Sequence, residues 1–230
     1  MKYRIGSFLV AVAALMSGCA VAPQRPIAFA APSGTTQAEK VGIAMTALPK
    51  VDTSLPGAGC LLCMAAASLA NEKLTSYAHS LPAEGLPHLK NDVADLLRKQ
   101  GVNVVVIDEP LVVDKLPKAT AKGDDIPRKD YSSLRTKYSI DHLIVIDIQQ
   151  IGFERTYADY FPTSDPKGAV TGVGYEVNLG TNTYEWYSPL SIRISTDGKW
   201  DEPPMFPGLT NAYYQALETS KDDLLKPFRG

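Results

Sequence analysis

Apolar positions in this chain recur in runs of two kinds, unbroken or alternating over short stretches and spaced three and four apart over longer ones. Val41–Leu48 (VGIAMTAL) is a short apolar run ended by Pro49 and predicts a buried strand. Pro49–Gly59 reads as loop, with Pro56-Gly57 as a turn. From Cys60 to Leu81 the spacing predicts one helix, with Cys60, Cys63, Ala67, Ala70, Leu74, Tyr77 and Leu81 on a single face, ended by Pro82. A second helix opens at Pro87, carries Leu89, Val93, Leu96 and Leu97 as its stripe, and stops at Gly101. Val102–Asp108 (VNVVVID) is β-branched throughout its middle and predicts a strand buried on both faces. Glu109–Arg128, with few apolar anchors, reads as a surface excursion. A third helix over Asp130–Tyr138, with Asp130 as N-cap, delivers the strongest strand, Ile140–Ile151. Val170–Leu179 and Tyr184–Ser195 then predict a hairpin closed by Gly180-Thr181-Asn182, and Asp197-Gly198 turns the chain again. The last element is an amphipathic helix from Pro207, lined by Leu209, Tyr213, Ala216, Leu217, Ser220 and Leu224 and closed by Pro227. The order β-α-α-β-α-β-β-β-α predicts a mixed α/β fold: one domain with a mixed sheet, helices packed on it and a C-terminal amphipathic helix.

The amino terminus follows different rules. Lys2 and Arg4 precede an apolar run over Ile5–Met16, and Met16-Ser17-Gly18 places small residues directly before Cys19. The run falls short of the roughly 20 residues a membrane span requires. The arrangement resembles a bacterial lipobox, with Met16 where leucine is commoner. That resemblance implies cleavage after Gly18, a diacylglycerol on the Cys19 thiol and acylation of the new amine. Ala20, standing where an Asp would mark retention, implies sorting to the outer membrane of a Gram-negative cell. The expected organisation is therefore a signal over 1–18, a flexible tether over 19–40, rich in Ala, Pro, Ser, Thr and Gln, and a periplasm-facing domain over 41–230.

Composition narrows the function classes. With Lys2 and Arg4 removed by cleavage, 21 basic side chains face 25 acidic ones, near −4. A mildly acidic, unpatterned surface lacks the basic footprint that nucleic-acid binding requires. A hydrophobic content of 45% is enough for a real core.

The unit LKNDVADLLRKQGVNVVVID, then a loop, then DYSSLRTKYSIDHLIVIDIQQI, is a helix ending at Gly that feeds a strand, and a second helix that delivers another. Over Leu86–Ile151, with Val41–Leu48 as first strand, it resembles the α/β domain of the TolB amino-terminal, penicillin-binding-protein activator and curli-secretion lipoprotein group. The resemblance implies an anticodon-binding-like fold and non-enzymatic work: binding a partner protein, or assembling a complex at the envelope.

Candidate chemistry is sparse. Cys60-Leu61-Leu62-Cys63 opens a helix, where the amino-terminal field lowers a thiol's pKa, so a redox pair is one reading. A structural disulfide, favoured by an exported compartment, and a reduced core pair are the others. A zinc site on the two thiols would need two more ligands, and His79, His88 and His142 show no matching spacing. No nucleophile elbow, P-loop or dinucleotide fingerprint is present, and Asp124-Asp125, Asp201-Glu202 and Asp222-Asp223 read as solvated surface. No enzyme, cofactor or metal is expected. Two aromatic clusters, Phe153-Tyr157-Tyr160-Phe161 and Tyr184-Trp186-Tyr187, make Tyr157, Tyr160 and Trp186 the candidate partner-binding residues. Strand alternation puts Tyr184 and Trp186 on one face and Glu185 and Tyr187 on the other. The leading expectation is an outer-membrane lipoprotein that binds or helps assemble another envelope component. A thiol–disulfide protein and a purely structural or stress-related lipoprotein are the alternatives.

Overall fold

The computed structural model describes residues 23–30 and 39–229; the expected signal over 1–18 and Cys19 lie outside the described residues. Its elements run β1 (Lys40–Met45), β2 (Asp52–Ser54), α1 (Leu61–Ala70), α2 (Glu72–Ala78), α3 (Leu89–Lys99), β3 (Asn103–Val106), α4 (Ser133–Tyr138), β4 (His142–Glu154), β5 (Tyr157–Ala158), β6 (Phe161–Pro162), β7 (Lys167–Asn178), β8 (Thr183–Ile194) and α5 (Pro207–Leu225). The mixed α/β class is as expected, with a C-terminal helix. Two short features escaped the sequence pattern: β2, inside a predicted loop, and the two-residue ladder of β5 with β6.

The main sheet has the order β3-β1-β4-β7-β8. β1, β3 and β4 are parallel neighbours, and β4, β7 and β8 form an antiparallel meander. β4 is 13 residues long and outruns β1, so β1 pairs with its first half and β2 with its last three residues. Gly152 makes that second pairing possible: its φ is +134°, and a Cβ there would collide with the backbone of Asp52.

Each sheet face buries one cluster. Leu74, Leu89, Val93, Leu97, Leu209, Tyr213 and Leu217 from α2, α3 and α5 pack on Ile144, Ile146, Val170 and Trp186. On the other face Ile107, Leu111, Tyr131, Leu134 and Ile140 pack on Leu143, Val145, Val173 and Tyr175. The predicted surface excursion therefore contributes Leu111 to the core, where its N–H donates to Met45 O (2.9 Å) at the end of β1.

The predicted helix over Cys60–Leu81 is two helices. Asn71 divides them: it is 2% exposed, its Nδ2 donates to Ala67 O (2.7 Å) and to Tyr157 Oη (2.7 Å), and its Oδ1 accepts from Arg155 Nη1 (3.1 Å). A side chain that bonds its own helix's carbonyl ends α1 and ties it to the turn after β4. Asp130 caps a turn two residues early, accepting from Ser132 N (2.9 Å), and α4 starts at Ser133.

Part of the expected tether is also corrected. Ile27 exchanges backbone hydrogen bonds with Tyr187 (2.9 and 3.1 Å) as an antiparallel bridge on the free edge of β8. Phe29 packs its ring edge-on to Trp186 and Phe228, with centroids 6.0 and 4.8 Å apart. Residues 23–30 thus strap an edge strand that would otherwise present unpaired N–H and C=O groups.

α5 lies so close to β7 that a Cβ at Gly168 would collide with the backbone of Ala212 and Tyr213. Gly168→Ala should therefore cost about 1–3 kcal/mol of stability by forcing helix and strand apart. Urea denaturation of the two proteins measures it, and an unchanged midpoint would mean the helix is free to recede.

Candidate functional site

The chain concentrates unusual chemistry at the two ends of its sheet. At the first, β2, β4 and β8 stop in register: Ser54 is paired with Glu154, Glu154 with Lys167, and Gly168 with Ile194. From there the chain leads into α1, the β5–β6 hairpin and the loop before α5. Among the described residues, seven of the eight large apolar side chains that stand exposed belong to these three segments: Leu61, Leu62, Met64, Leu69, Tyr160, Phe161 and Met205. Leu61 is 88% exposed, Leu69 75% and Phe161 74%. Scattered exposed apolar residues need no explanation, but a group on one end does.

α1 reaches this end through a small cluster of its own, in which Cys63 and Ala67 pack with Leu55, Ala58 and Tyr157. Cys60 and Cys63 form a disulfide. Only Cys63 is buried. Cys60 is the N-cap, its Sγ accepting from Cys63 N (2.9 Å) while the Tyr160 hydroxyl donates to it at 3.6 Å. The expectation that both cysteines and Ala70 face the core is thus corrected: the N-cap precedes the first helical turn, and Ala70 is exposed. The two-residue spacing between the cysteines places one sulfur in the core and one at the surface.

The three candidate partner-binding residues separate. Trp186 is 2% exposed, lying under Phe29 and Phe228, and Tyr157 is 7% exposed with its hydroxyl bonded to Asn71. Both are core, a correction to their reading as contact residues. Tyr160 alone stands at the surface.

At the other end of the sheet lies a group that sequence spacing did not find. His142 opens β4, Glu176 sits on β7 and Glu185 on β8, with one ligating atom from each lying within 4.8 Å of the others. A β-bulge creates the arrangement. Glu176 pairs with Trp186 and Val177 with Tyr184, so Glu185 is the extra residue in β8. The bulge breaks the expected alternation: Tyr184 joins Tyr187 and Tyr175 on one face, Trp186 goes to the other, and Glu185 reaches His142. His142 Nδ1 donates to Glu185 Oε2 at 2.7 Å and stands 3.8 Å from Glu176 Oε1. Burial lifts the Glu176 carboxyl from 4.5 to about 7, with His142 opposing the shift and Glu185 adding to it. The available signal was a lone Glu in the apolar alternation of VTGVGYEVNL.

A shallow groove of about 390 Å³ runs between β2 and the irregular stretch of β4, lined by Pro49, Asp52, Thr53 and Gln150. Thr53 Oγ1 and Gln150 Nε2 are buried there without a hydrogen-bond partner among the described residues. His79 bonds the exposed Asp52 carboxylate (3.1 Å), a surface pair.

No family model and no curated protein matches the chain. Similar solved structures include the PelC dodecamer from Paraburkholderia phytofirmans, 10% identical over 88% of this chain and 93% of that one, with a TM-score of 0.35. XCC0632 from Xanthomonas campestris, of family DUF330, is 10% identical over 87% and 90%, with a TM-score of 0.37. Lipoprotein GNA1162 from Neisseria meningitidis is 13% identical over 80% and 98%, with a TM-score of 0.30. Likeness at this level decides neither activity nor partner.

The Glu176 shift has a stability consequence with a definite sign. A raised folded-state pKa means that the folded protein holds the proton more tightly; the stabilisation is complete below about 4.5 and is lost as pH rises through about 7. Glu176→Gln keeps the neutral shape at every pH, so in chelator-treated protein it should exceed the wild type by about 1–3 kcal/mol at pH 8 and match it at pH 4.5. Urea denaturation at the two pH values checks this; equal stabilities at pH 8 would show the carboxylate to be solvated.

Proposed function

We propose that the chain is a lipid-anchored envelope lipoprotein whose domain works without catalysis, as a binding or assembly module resting on the membrane surface. The observation that carries this reading is the exposed apolar end of the sheet together with the direction of the strap. Because Ile27 pairs antiparallel to Tyr187, the chain before Ile27 heads along β8 toward Ile194, the end that carries α1 and the hairpin. Cys19 precedes Ile27 by eight residues, and a chain spans at most about 3.3–3.6 Å per residue, so a lipid on Cys19 lies within roughly 29 Å of the bridge. That reach is long enough for acyl chains on Cys19 to meet a bilayer at the end that carries Leu61, Leu62 and Phe161. Each such side chain transferred out of water would add at most about 1.5–3 kcal/mol, secondary to the lipid but enough to orient the domain. The residue after Cys19, Ala20, supports the outer membrane as the place, with the domain facing the periplasm.

Anchoring and orientation have separate tests. Cys19→Ala should abolish incorporation of labelled palmitate and leave an uncleaved or soluble protein; continued labelling would remove the basis of the proposal. For orientation, a nitroxide placed by Phe161→Cys on the mature lipoprotein in vesicles of bacterial phospholipid should be relaxed by oxygen and shielded from aqueous nickel. The same label at Lys122→Cys serves as the solvated reference. Equal nickel accessibility at the two positions would overturn membrane contact.

One observation favours a second reading, a thiol–disulfide protein. Cys60 is exposed at the N-terminus of a ten-residue helix, and its partner Cys63 is buried, the asymmetry an exchange reaction uses. Insulin reduction by the reduced protein, lost in Cys60→Ser, would establish that reading; no reduction above a thiol blank would leave the disulfide as a staple of α1.

A further inference from the structure

The His142 cluster lies at the end of the sheet remote from the apolar residues and plays no part in the anchoring argument. Three strands deliver its side chains: the first residue of β4, an inward position of β7 and the bulge of β8. The side chain of Glu176 is 92% buried, its shared charge pair with His142 is 3.8 Å long, and no described residue donates a hydrogen bond to its carboxylate. A buried carboxylate ordinarily collects several donors, and this one has only its long charge pair with His142, which leaves it the capacity to ligate a cation.

We infer that His142 Nδ1, Glu176 Oε1 and Glu185 Oε2 form a three-ligand site for a divalent transition-metal ion of the zinc class.

The geometry fits such an ion. Zinc holds imidazole nitrogen at about 2.0–2.1 Å and carboxylate oxygen at about 2.0–2.2 Å, which sets neighbouring ligand atoms a little over 3 Å apart. The Nδ1–oxygen separations of 2.7 and 3.8 Å lie on either side of that value, and with all three atoms within 4.8 Å of one another the carboxylates close on an ion by side-chain rotation. The outer groups are placed to orient the ligands. Asn178 Nδ2 donates to Glu185 Oε1 (3.0 Å), which turns Oε2 toward the imidazole. Glu39 Oε2 stands 4.0 Å from His142 Nε2, on the side where a carboxylate would accept a hydrogen bond from Nε2–H and leave Nδ1 as the ligand. The ion takes the Nδ1 lone pair of the Nε2–H tautomer: an imidazolium releases its Nδ1 proton to solvent, a neutral Nδ1–H ring passes it to Nε2, and two carboxylates balance the ion's charge. One imidazole with two carboxylates suits zinc, manganese or cobalt better than the soft ions that prefer thiolate. With three protein ligands, a fourth position remains for water or for a group from another molecule.

The test uses the mature lipoprotein in detergent, stripped with chelator and dialysed. Zinc alone is titrated in competition with a chromophoric chelator, and cobalt alone is followed by its visible absorption. One equivalent of zinc bound at micromolar or tighter affinity is expected. Glu176→Gln and, separately, the exposed Glu185→Gln should weaken it at least about tenfold, and Glu39→Gln should weaken it by a smaller factor. Folding of each variant is checked by urea denaturation, and Glu185, 40% exposed in its side chain, is the substitution the fold tolerates most readily. Absence of binding by the wild-type protein at 100 μM zinc would overturn the inference. Undiminished stoichiometric binding in both glutamine variants would do the same, by placing the metal elsewhere.

Discussion

The arrangement depends on one strand being too long for its neighbour. β4 continues for eight residues after its pairing with β1 ends at Ile146, and something else must satisfy the backbone groups it then presents. β7 supplies one side along the whole length, and β2 supplies part of the other, admitted by the absence of a side chain at Gly152. That short pairing holds the beginning of the Ser54–Cys60 loop, and so α1, at the far end of the sheet. Without the overhang α1 would have no platform: its own packing amounts to Cys63 and Ala67 against Leu55, Ala58 and Tyr157.

The disulfide and Asn71 explain how so small a contact holds a helix with so many exposed leucines. The disulfide staples the first turn at its cap, and Asn71, bonded back to Ala67 O, ties the last turn to Arg155 and Tyr157 with one hydrogen bond each. Between these two fastenings the outward face is free to be apolar, because the packing of the domain does not depend on what it carries. Ala and Leu are strong helix formers, and Leu61, Leu62 and Leu69 add nothing to the core.

Much of the fold was legible because both faces of the sheet are buried. Long apolar runs marked β1, β4, β7 and β8, and 3.6-residue periodicity marked α3 and α5. What escaped was whatever depends on one residue's side chain or on register. The division at Asn71 is a tertiary hydrogen-bond effect, invisible to periodicity. β2 has three residues, and its pairing partners stand 100 residues further along the chain. The bulge at Glu185 was the costliest omission, since strict alternation put Tyr184 with Trp186 and kept Glu185 away from His142. Trp186 and Tyr157 stand among the candidate partner contacts for a related reason. Aromatic clustering does not distinguish a ring that anchors a partner from one that fills the space under a strap, and here Phe29 and Phe228 cover the indole.

The two ends of the sheet are related by the length of β4. Thirteen residues at about 3.3 Å each separate His142 from Glu154 by roughly 40 Å along the strand. If the apolar end rests on a bilayer, the histidine and its two glutamates are carried outward by that distance, beyond the reach of headgroups and into the aqueous compartment. The strap is fastened to β8 by the Ile27–Tyr187 bridge, and its Phe29 covers Trp186. A domain whose greasy end and polar end are fixed by the same strand cannot present both to one surface. Membrane contact and any ligand at the His142 end are therefore separable events, joined only through the rigidity of the sheet.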